Sequence, residues 1–284
     1  MRSGVRRVVP LTFGWEHLPK SVSVHGASKD IRLREPVPGV LLEVDGGWFL
    51  LDTGFNTPTL LAEQLRVRVA PREIDDELAG DGGDAIERAF EHVGIDPVDV
   101  VEIALSHLHD DHAGGVDWFG RQAPIHCQRR ELEHARSEPP PPGQALCGVD
   151  FSSDHIDWRL DDGDVQLAPG LTAIATYGHT VGHQSFVVDL VGGGGFVFAF
   201  DAADLQENLD DEVAPGGVAP GAHDEAVASI RRLKRVAAER GYPVIPGHDP
   251  EAWPRSTRAL GIDRPVGPGR FLGSVDGTAA DTTP

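Results

Sequence analysis

Ser106-His107-Leu108-His109-Asp110-Asp111-His112-Ala113-Gly114-Gly115 is the stretch on which the reading of this chain turns. Three histidines and a spare carboxylate fall within six residues, directly after the apolar run Val100 to Leu105. Imidazole nitrogen is the usual protein ligand for zinc and its neighbours, and a carboxylate oxygen completes such a set. In H-x-H-x-D-H the first two histidines point the same way and can chelate one ion. The Asp-His pair beyond them turns toward a second position. Thirteen histidines in 284 residues must fall near one another somewhere, so two alone would say little. The complete pattern at the end of a predicted strand says more.

Working outward, other segments end in the same residue types. Gly178-His179-Thr180-Val181-Gly182-His183 is a Gly-flanked loop between predicted strands at Leu171 to Thr176 and Ser185 to Leu190. Pro246-Gly247-His248-Asp249 follows the short strand Val244-Ile245, and the buried-looking strand Phe196 to Phe200 runs straight into Asp201. Loops at one edge of a rigid sheet are where catalytic groups gather.

With these residues the chain resembles the metallo-β-lactamase superfamily of binuclear metallohydrolases, over roughly Val8 to Trp253. The family's marks are H-x-H-x-D-H, a G-H-T loop, a bridging Asp and a final His. They map to His107, His109, Asp111, His112, His179, Asp201 and His248. Leu51-Asp52-Thr53-Gly54 matches the family's early D-T-G strand end. Gly178 to Ser185, Asp201-Ala202, Glu207-Asn208 with Asp211-Glu212, the Ser229 to Val236 helix and Gly247-His248-Asp249 are similar to the quorum-quenching N-acyl-homoserine-lactone lactonases.

The resemblance implies an αββα sandwich and two divalent metal ions. His107, His109 and His179 are expected to hold one ion, and Asp111, His112 and His248 the other, with Asp201 bridging. Zinc is the first expectation from the N/O ligands and the absence of a redox need; iron, cobalt or manganese also fit. The implied reaction is attack of a metal-bound hydroxide on a lactone. Asp111 is the expected proton carrier, and Asp204 is a second candidate catalytic residue. Hydroxyacylglutathione-hydrolase-type thioester hydrolysis uses the same seven ligands and is the enzymatic alternative. A non-hydrolytic metal-binding scaffold is the non-enzymatic one, but it would be expected to have lost a ligand. Asp201 at the bridging position argues against the antibiotic-degrading members, and His109 at the second motif position argues against the flavo-diiron ones.

Two positions depart from the lactonase pattern. Asp110 stands where those enzymes often carry Phe, and Asp204 stands where they carry a Tyr that contacts the substrate. Asp52 is expected to orient a ligand histidine through its free N–H. His183 is read as supporting or structural rather than ligating. His126 and His92 are read as packing residues, and Asp249 as making a local hydrogen bond.

Composition limits the partners. The chain is 40% hydrophobic and carries 45 acidic against 25 basic residues, a formal net charge of −20. Such a field repels polyanions, disfavours nucleic acid and favours a neutral or cationic substrate; with the resemblance, a neutral lactone or ester is expected. Cys127 and Cys147 show no paired spacing, which fits a reducing compartment. No run approaches the ~20 apolar residues of a membrane span. The expectation is a cytoplasmic monomer or homodimer.

Residues 1–263 read as one domain. The turn Asp45-Gly46-Gly47 joins strands Val40 to Val44 and Trp48 to Leu51. Asp84 is a candidate N-cap for a helix carrying Ile86, Ala89, Phe90 and Val93 on one face. A short strand, Pro124 to Cys127, and a helix, Arg129 to Ala135, follow the metal motif. An amphipathic helix is predicted from about Asp224 to Arg240, stopped by Gly241. Ser137 to Gly143 reads as an exposed loop, and residues 264–284, rich in Gly, Pro, Thr and Asp, as a flexible tail.

Overall fold

Apolar residues that recur at every second position build two sheets, because successive side chains of a strand point to opposite faces. The computed structural model describes residues 3–56, 85–137, 146 and 148–260. One sheet has six strands in the order β1 (Arg7–Pro19), β2 (Arg32–Val44), β3 (Gly47–Leu51), β4 (Val100–Ala104), β5 (Ile125–Gln128) and β6 (Trp158–Asp161). Its first three strands pair antiparallel, and β3 to β6 run parallel. The other sheet has five, ordered β11 (Val244–Pro246), β10 (Gly195–Phe200), β9 (Gln184–Asp189), β8 (Leu171–Ala175) and β7 (Val165–Ala168). In it only β10 and β11 are parallel.

The alternation sorts the core into three layers. Val40, Leu42, Phe49 and Leu51 of the first sheet meet Ala173, Phe186, Val188 and Phe198 of the second in the central one. On the far side of the first sheet, Leu41, Leu50, Ile103 and Ile125 pack against Ile86, Ala89 and Phe90 of the Ala85–Val93 helix. On the far side of the second, Ile174, Val187, Val197 and Ala199 receive Ile230, Leu233 and Ala237 of the His223–Arg240 helix. Fully burying each Ile or Leu contributes about 1.5–3 kcal/mol, enough for each helix to be held by its apolar stripe. The result is the αββα sandwich.

The His223–Arg240 helix ends at Gly241, whose φ of 70° is the left-handed turn that halts it. The Arg129–Ala135 helix also forms as its sequence implies. β1 has no counterpart in the sequence reading. Pro10, Gly14 and Pro19 make it look broken, but it lies at the sheet edge, where proline is tolerated, and a bulge between Thr12 and Gly14 absorbs the irregularity. The Ala252–Ala259 helix was also not legible; it is anchored by buried Trp253, whose Nε1 donates to Thr12 Oγ1 at 3.0 Å. Asp84, Cys147, residues 138–143 and the 264–284 tail lie outside the described residues. Among those described, no helix is long and apolar enough to cross a membrane.

His126 on β5 does more than pack. Its Nδ1 lies 2.9 Å from Asp161 Oδ2 on β6 and its Nε2 3.2 Å from Glu102 Oε1 on β4, so one imidazole ties three parallel strands. Burial alone would lower its pKa, but the hydrogen bonds to Asp161 and Glu102 outweigh burial and hold it above the ordinary histidine value. A raised folded-state pKa gives stability that is complete below the unfolded value of about 6.5 and is lost as pH rises through the folded value. The stability difference between wild type and His126→Gln, measured by urea unfolding, should therefore shrink between mildly acidic and alkaline pH. A difference that is constant with pH would show that the imidazolium bridges nothing.

Candidate metal centre

Four strand ends and one hairpin turn converge on one edge of the sandwich. β3 runs into Asp52, β4 into Ser106 and His107, β10 into Asp201 and β11 into His248, while the β8–β9 turn carries His179. After His109 the chain winds into the short Asp110–Ala113 helix, which brings Asp111 and His112 into the same cluster. That helix is braced from below: Thr53 N and Oγ1 both donate to His112 O at 2.8 Å, and Gly114 N donates to Gly54 O at 2.8 Å. A Cβ on Gly114 would collide with the backbone of Phe55 and Asn56, so the D-T-G segment and the A-G-G end of the motif fit together only as written.

All seven residues expected at the centre come together, in two groups. His107, His109, His179 and Asp201 form one, and Asp111, His112 and His248 the other, with all seven buried or nearly so. Asp201 faces both. Its Oδ2 lies 3.2 Å from His179 Nε2 and 3.7 Å from His107 Nε2, and its Oδ1 lies 3.0 Å from His248 Nε2 and 3.1 Å from His112 Nε2. Two non-glycine residues next to these groups, Asp52 at φ 56° and Phe200 at φ 46°, adopt the left-handed backbone that costs of order 1–3 kcal/mol and clusters at functional sites.

The outward hydrogen bonds of the rings decide which nitrogens face inward. Asp52 Oδ2 is 2.7 Å from His112 Nδ1 and accepts Ser106 Oγ–H at 2.7 Å, while Oδ1 accepts Ser106 N–H at 2.6 Å. Ser106 Oγ in turn lies 2.9 Å from His107 Nδ1. A carboxylate has no proton to give, so His112 Nδ1 and, through the serine, His107 Nδ1 carry theirs outward and leave Nε2 as the atom facing inward. Asp52 thus fixes one ring in each group. His248 Nδ1 is held likewise by Pro36 O at 2.9 Å.

That arrangement fits cations. His112 Nε2 faces His248 Nε2 at 3.3 Å, His109 Nδ1 faces His179 Nε2 at 3.0 Å, and buried His107 Nε2 has no hydrogen-bond partner. In their neutral forms, nitrogens brought this close turn lone pairs toward one another, and these repel unless a positive charge lies between them. Burial keeps His107, His109 and His179 neutral, with their pKa values below the ordinary one. Burial opposes a charge on His112 and His248 too, but Asp111, Asp201 and Asp52 around the former, and Asp201 and Asp111 around the latter, outweigh it and raise both. The imidazoles of the first group are neutral donors beside the Asp201 carboxylate, and those of the second stabilise positive charge.

His183 stays outside both groups; its Nδ1 is 2.9 Å from Thr176 Oγ1, and burial pushes its pKa down to about 3. Asp249 makes the expected local bonds, accepting Glu251 and Ala252 N–H, and also accepts Gln206 N–H from a distant part of the chain. Asp110 and Asp204 are both buried, and Asp204 Oδ1 has no hydrogen-bond partner. Burial, then Asp201, push the Asp204 carboxyl well above the usual range. Glu35 on β2 lies in the same acidic neighbourhood, accepting Ser23 Oγ–H at 2.6 Å, and burial takes it up to about 7. The sequence reading gave no role to Ser106, Glu35 or Glu131. Ser106 alone carried a signal, its position one residue before the first ligand.

The metallo-beta-lactamase superfamily profile matches residues 34–248, a span that holds all seven residues of the two groups. The chain belongs to that superfamily. Among its curated members, an N-acyl homoserine lactonase of Bacillus thuringiensis is 32% identical over 225 residues, covering 77% of this chain and 83% of that protein. The N-acyl homoserine lactonase AttM of Azorhizobium caulinodans is 35% identical over 175 residues, covering 60% of this chain and 65% of that protein. In structure, this superfamily member aligns with an N-acyl homoserine lactone hydrolase bearing N-hexanoyl-L-homoserine at its catalytic metal centre. The TM-score is 0.74 at 27% identity, over 95% of this chain and 100% of that one.

The Asp52 network yields a test. Asp52→Asn keeps the shape but turns an N–H toward His112 Nδ1, so the ring should flip its tautomer and aim Nε2–H inward. Folding should survive, while metal affinity at the Asp111/His112/His248 group falls about 10–100-fold, the usual effect of losing such a partner. Isothermal titration with zinc checks this; wild-type affinity would show that Asp52 does not set the tautomer.

Proposed function

We propose that this chain is a binuclear metal-dependent lactonase that opens N-acyl-homoserine-lactone-like cyclic esters. The observation that carries the reading is Asp201, one carboxylate facing two groups of imidazoles with one oxygen toward each. The lactonase activity of the relatives supports the bond type. His107, His109 and His179 would hold one ion, Asp111, His112 and His248 the second, and Asp201 both. Zinc suits these N/O donors, and iron, cobalt or manganese fit the same set. Two such ions supply Lewis acidity for a carbonyl oxygen and bring the pKa of a water from 15.7 toward about 7.

The protein's own groups handle the protons. Asp111 Oδ2 lies 3.1 Å from His112 Nε2 and 3.8 Å from His248 Nε2, inside the second group. It takes up the proton of the attacking water and returns it to the ring oxygen as the C–O bond breaks. Asp204, whose Oδ1 is without a hydrogen-bond partner, is the second catalytic candidate. Thioester hydrolysis needs no different ligands, but the relatives at 32–35% identity are lactonases. A non-catalytic scaffold would be expected to lack a ligand, and all seven are here.

Asp110 and Asp204 also bear on selectivity. Carboxyl groups are costly to desolvate against an alkyl chain. The substrate therefore has a shorter or more polar side group than long-chain acyl-homoserine lactones. The −20 charge supports a neutral substrate over a polyanion. We place the enzyme in the cytoplasm, as a monomer or homodimer.

A panel of lactones, thioesters and phosphodiesters on metal-loaded protein, with an acyl-chain series for wild type and Asp204→Tyr, tests both levels. Lactones should be cleaved fastest, short or polar side groups should be preferred, and Asp204→Tyr should shift kcat/KM toward long chains by about tenfold, or ~1.4 kcal/mol. Preference for thioesters or phosphodiesters overturns the reaction class; an unchanged chain profile overturns the selectivity.

A further inference from the structure

The first ligand group is assembled from two different sheets. His107 and His109 follow β4, and His179 sits in the β8–β9 turn, so something must hold these two loops at a fixed separation. Gln184 joins them at the base, where its N donates to Ser106 O at 2.9 Å and its Nε2 to Leu105 O at 2.7 Å. Nearer the ligands the join is a single side chain. Glu131, on the Arg129–Ala135 helix and only 2% exposed, accepts Leu108 N–H at 3.1 Å through Oε1 and Gly182 N–H at 2.8 Å through Oε2.

Leu108 lies between the two ligand histidines of one loop, and Gly182 is three residues past the ligand of the other. Gly182 is packed so closely that an added Cβ would lie 2.5 Å from Glu131 Cβ and 2.6 Å from its backbone nitrogen. The helix therefore touches the turn directly, and the carboxylate spans from there to the motif loop. A buried carboxylate is costly unless its oxygens are hydrogen-bonded, and these two backbone N–H groups meet that need while drawing both loops to one point.

We propose that Glu131 is a positioning residue for the first ligand group, clasping the His107/His109 loop to the His179 loop so that their nitrogens meet around one cation. Its hydrogen bonds go to the two loop backbones, and it acts through them. The inference rests on the metal-binding reading above and predicts an asymmetry: the His107/His109/His179 group depends on Glu131, and the Asp111/His112/His248 group does not. Gln at this position keeps one acceptor and turns an N–H toward the other backbone donor, which opens one side of the clasp. Asp keeps both acceptors but is one methylene too short to span the gap.

The test is cobalt titration of metal-free wild type, Glu131→Gln and Glu131→Asp, following the visible absorption of each site and its dissociation constant. Wild type should bind two ions; fewer than two would defeat the metal reading itself, before the variants are considered. Both variants should bind one ion with wild-type affinity and the other about 10–100-fold more weakly, with the altered spectrum confined to the weakened site. Wild-type affinity at both sites, or an equal loss at both, overturns the proposal. Failure of both variants to fold also overturns it, by making the contact a support of the sandwich rather than of the site.

Discussion

Asp201, 5% exposed, lies among five imidazole rings. Burial by itself would protonate it, but His112 and His248 outweigh that and keep its carboxyl well below the usual range. The other groups at the sheet edge are arranged around this fixed negative charge. Imidazoles whose outward nitrogens are engaged by Asp52, Ser106 and Pro36 turn their Nε2 atoms inward. Donors so arranged repel one another and are reconciled by positive charge. The fold therefore supplies a rigid edge, the outward hydrogen bonds supply the direction of each ring, and the carboxylate supplies the common focus.

The strain near the centre follows from the same demand. Asp52 and Phe200 take left-handed backbone where their strands end. Each lets the chain leave its strand sharply, so that Asp52 turns toward His112 and Ser106 and the chain after Phe200 brings Asp201 toward the histidines. The sandwich bears this because the central layer on which both strands lie is almost wholly buried. Stability held in the sheets is what permits backbone distortion at their edge.

How much of this was legible in the sequence depended on whether the signal was local. The H-x-H-x-D-H stretch, the G-H-T loop and the residues ending β10 and β11 showed their chemistry in the chain itself, and the structure brings all seven together. The central strands and the His223–Arg240 helix were legible from periodicity. β1 was hidden by its prolines, which only its edge position explains. Glu131 could not be found from sequence, because a glutamate beside Leu132 on a short helix looks like any solvated carboxylate until the second loop is placed against it. His126 looked like packing because the carboxylates it joins lie on two other strands.

The most direct measurement is the metal content of the purified wild-type protein and of Asp201→Ala by elemental analysis. The account predicts close to two transition-metal ions per wild-type chain and loss of at least one in the variant, since Asp201 turns one oxygen toward each group. One tightly bound ion per chain in wild type, with the same content in Asp201→Ala, would contradict it.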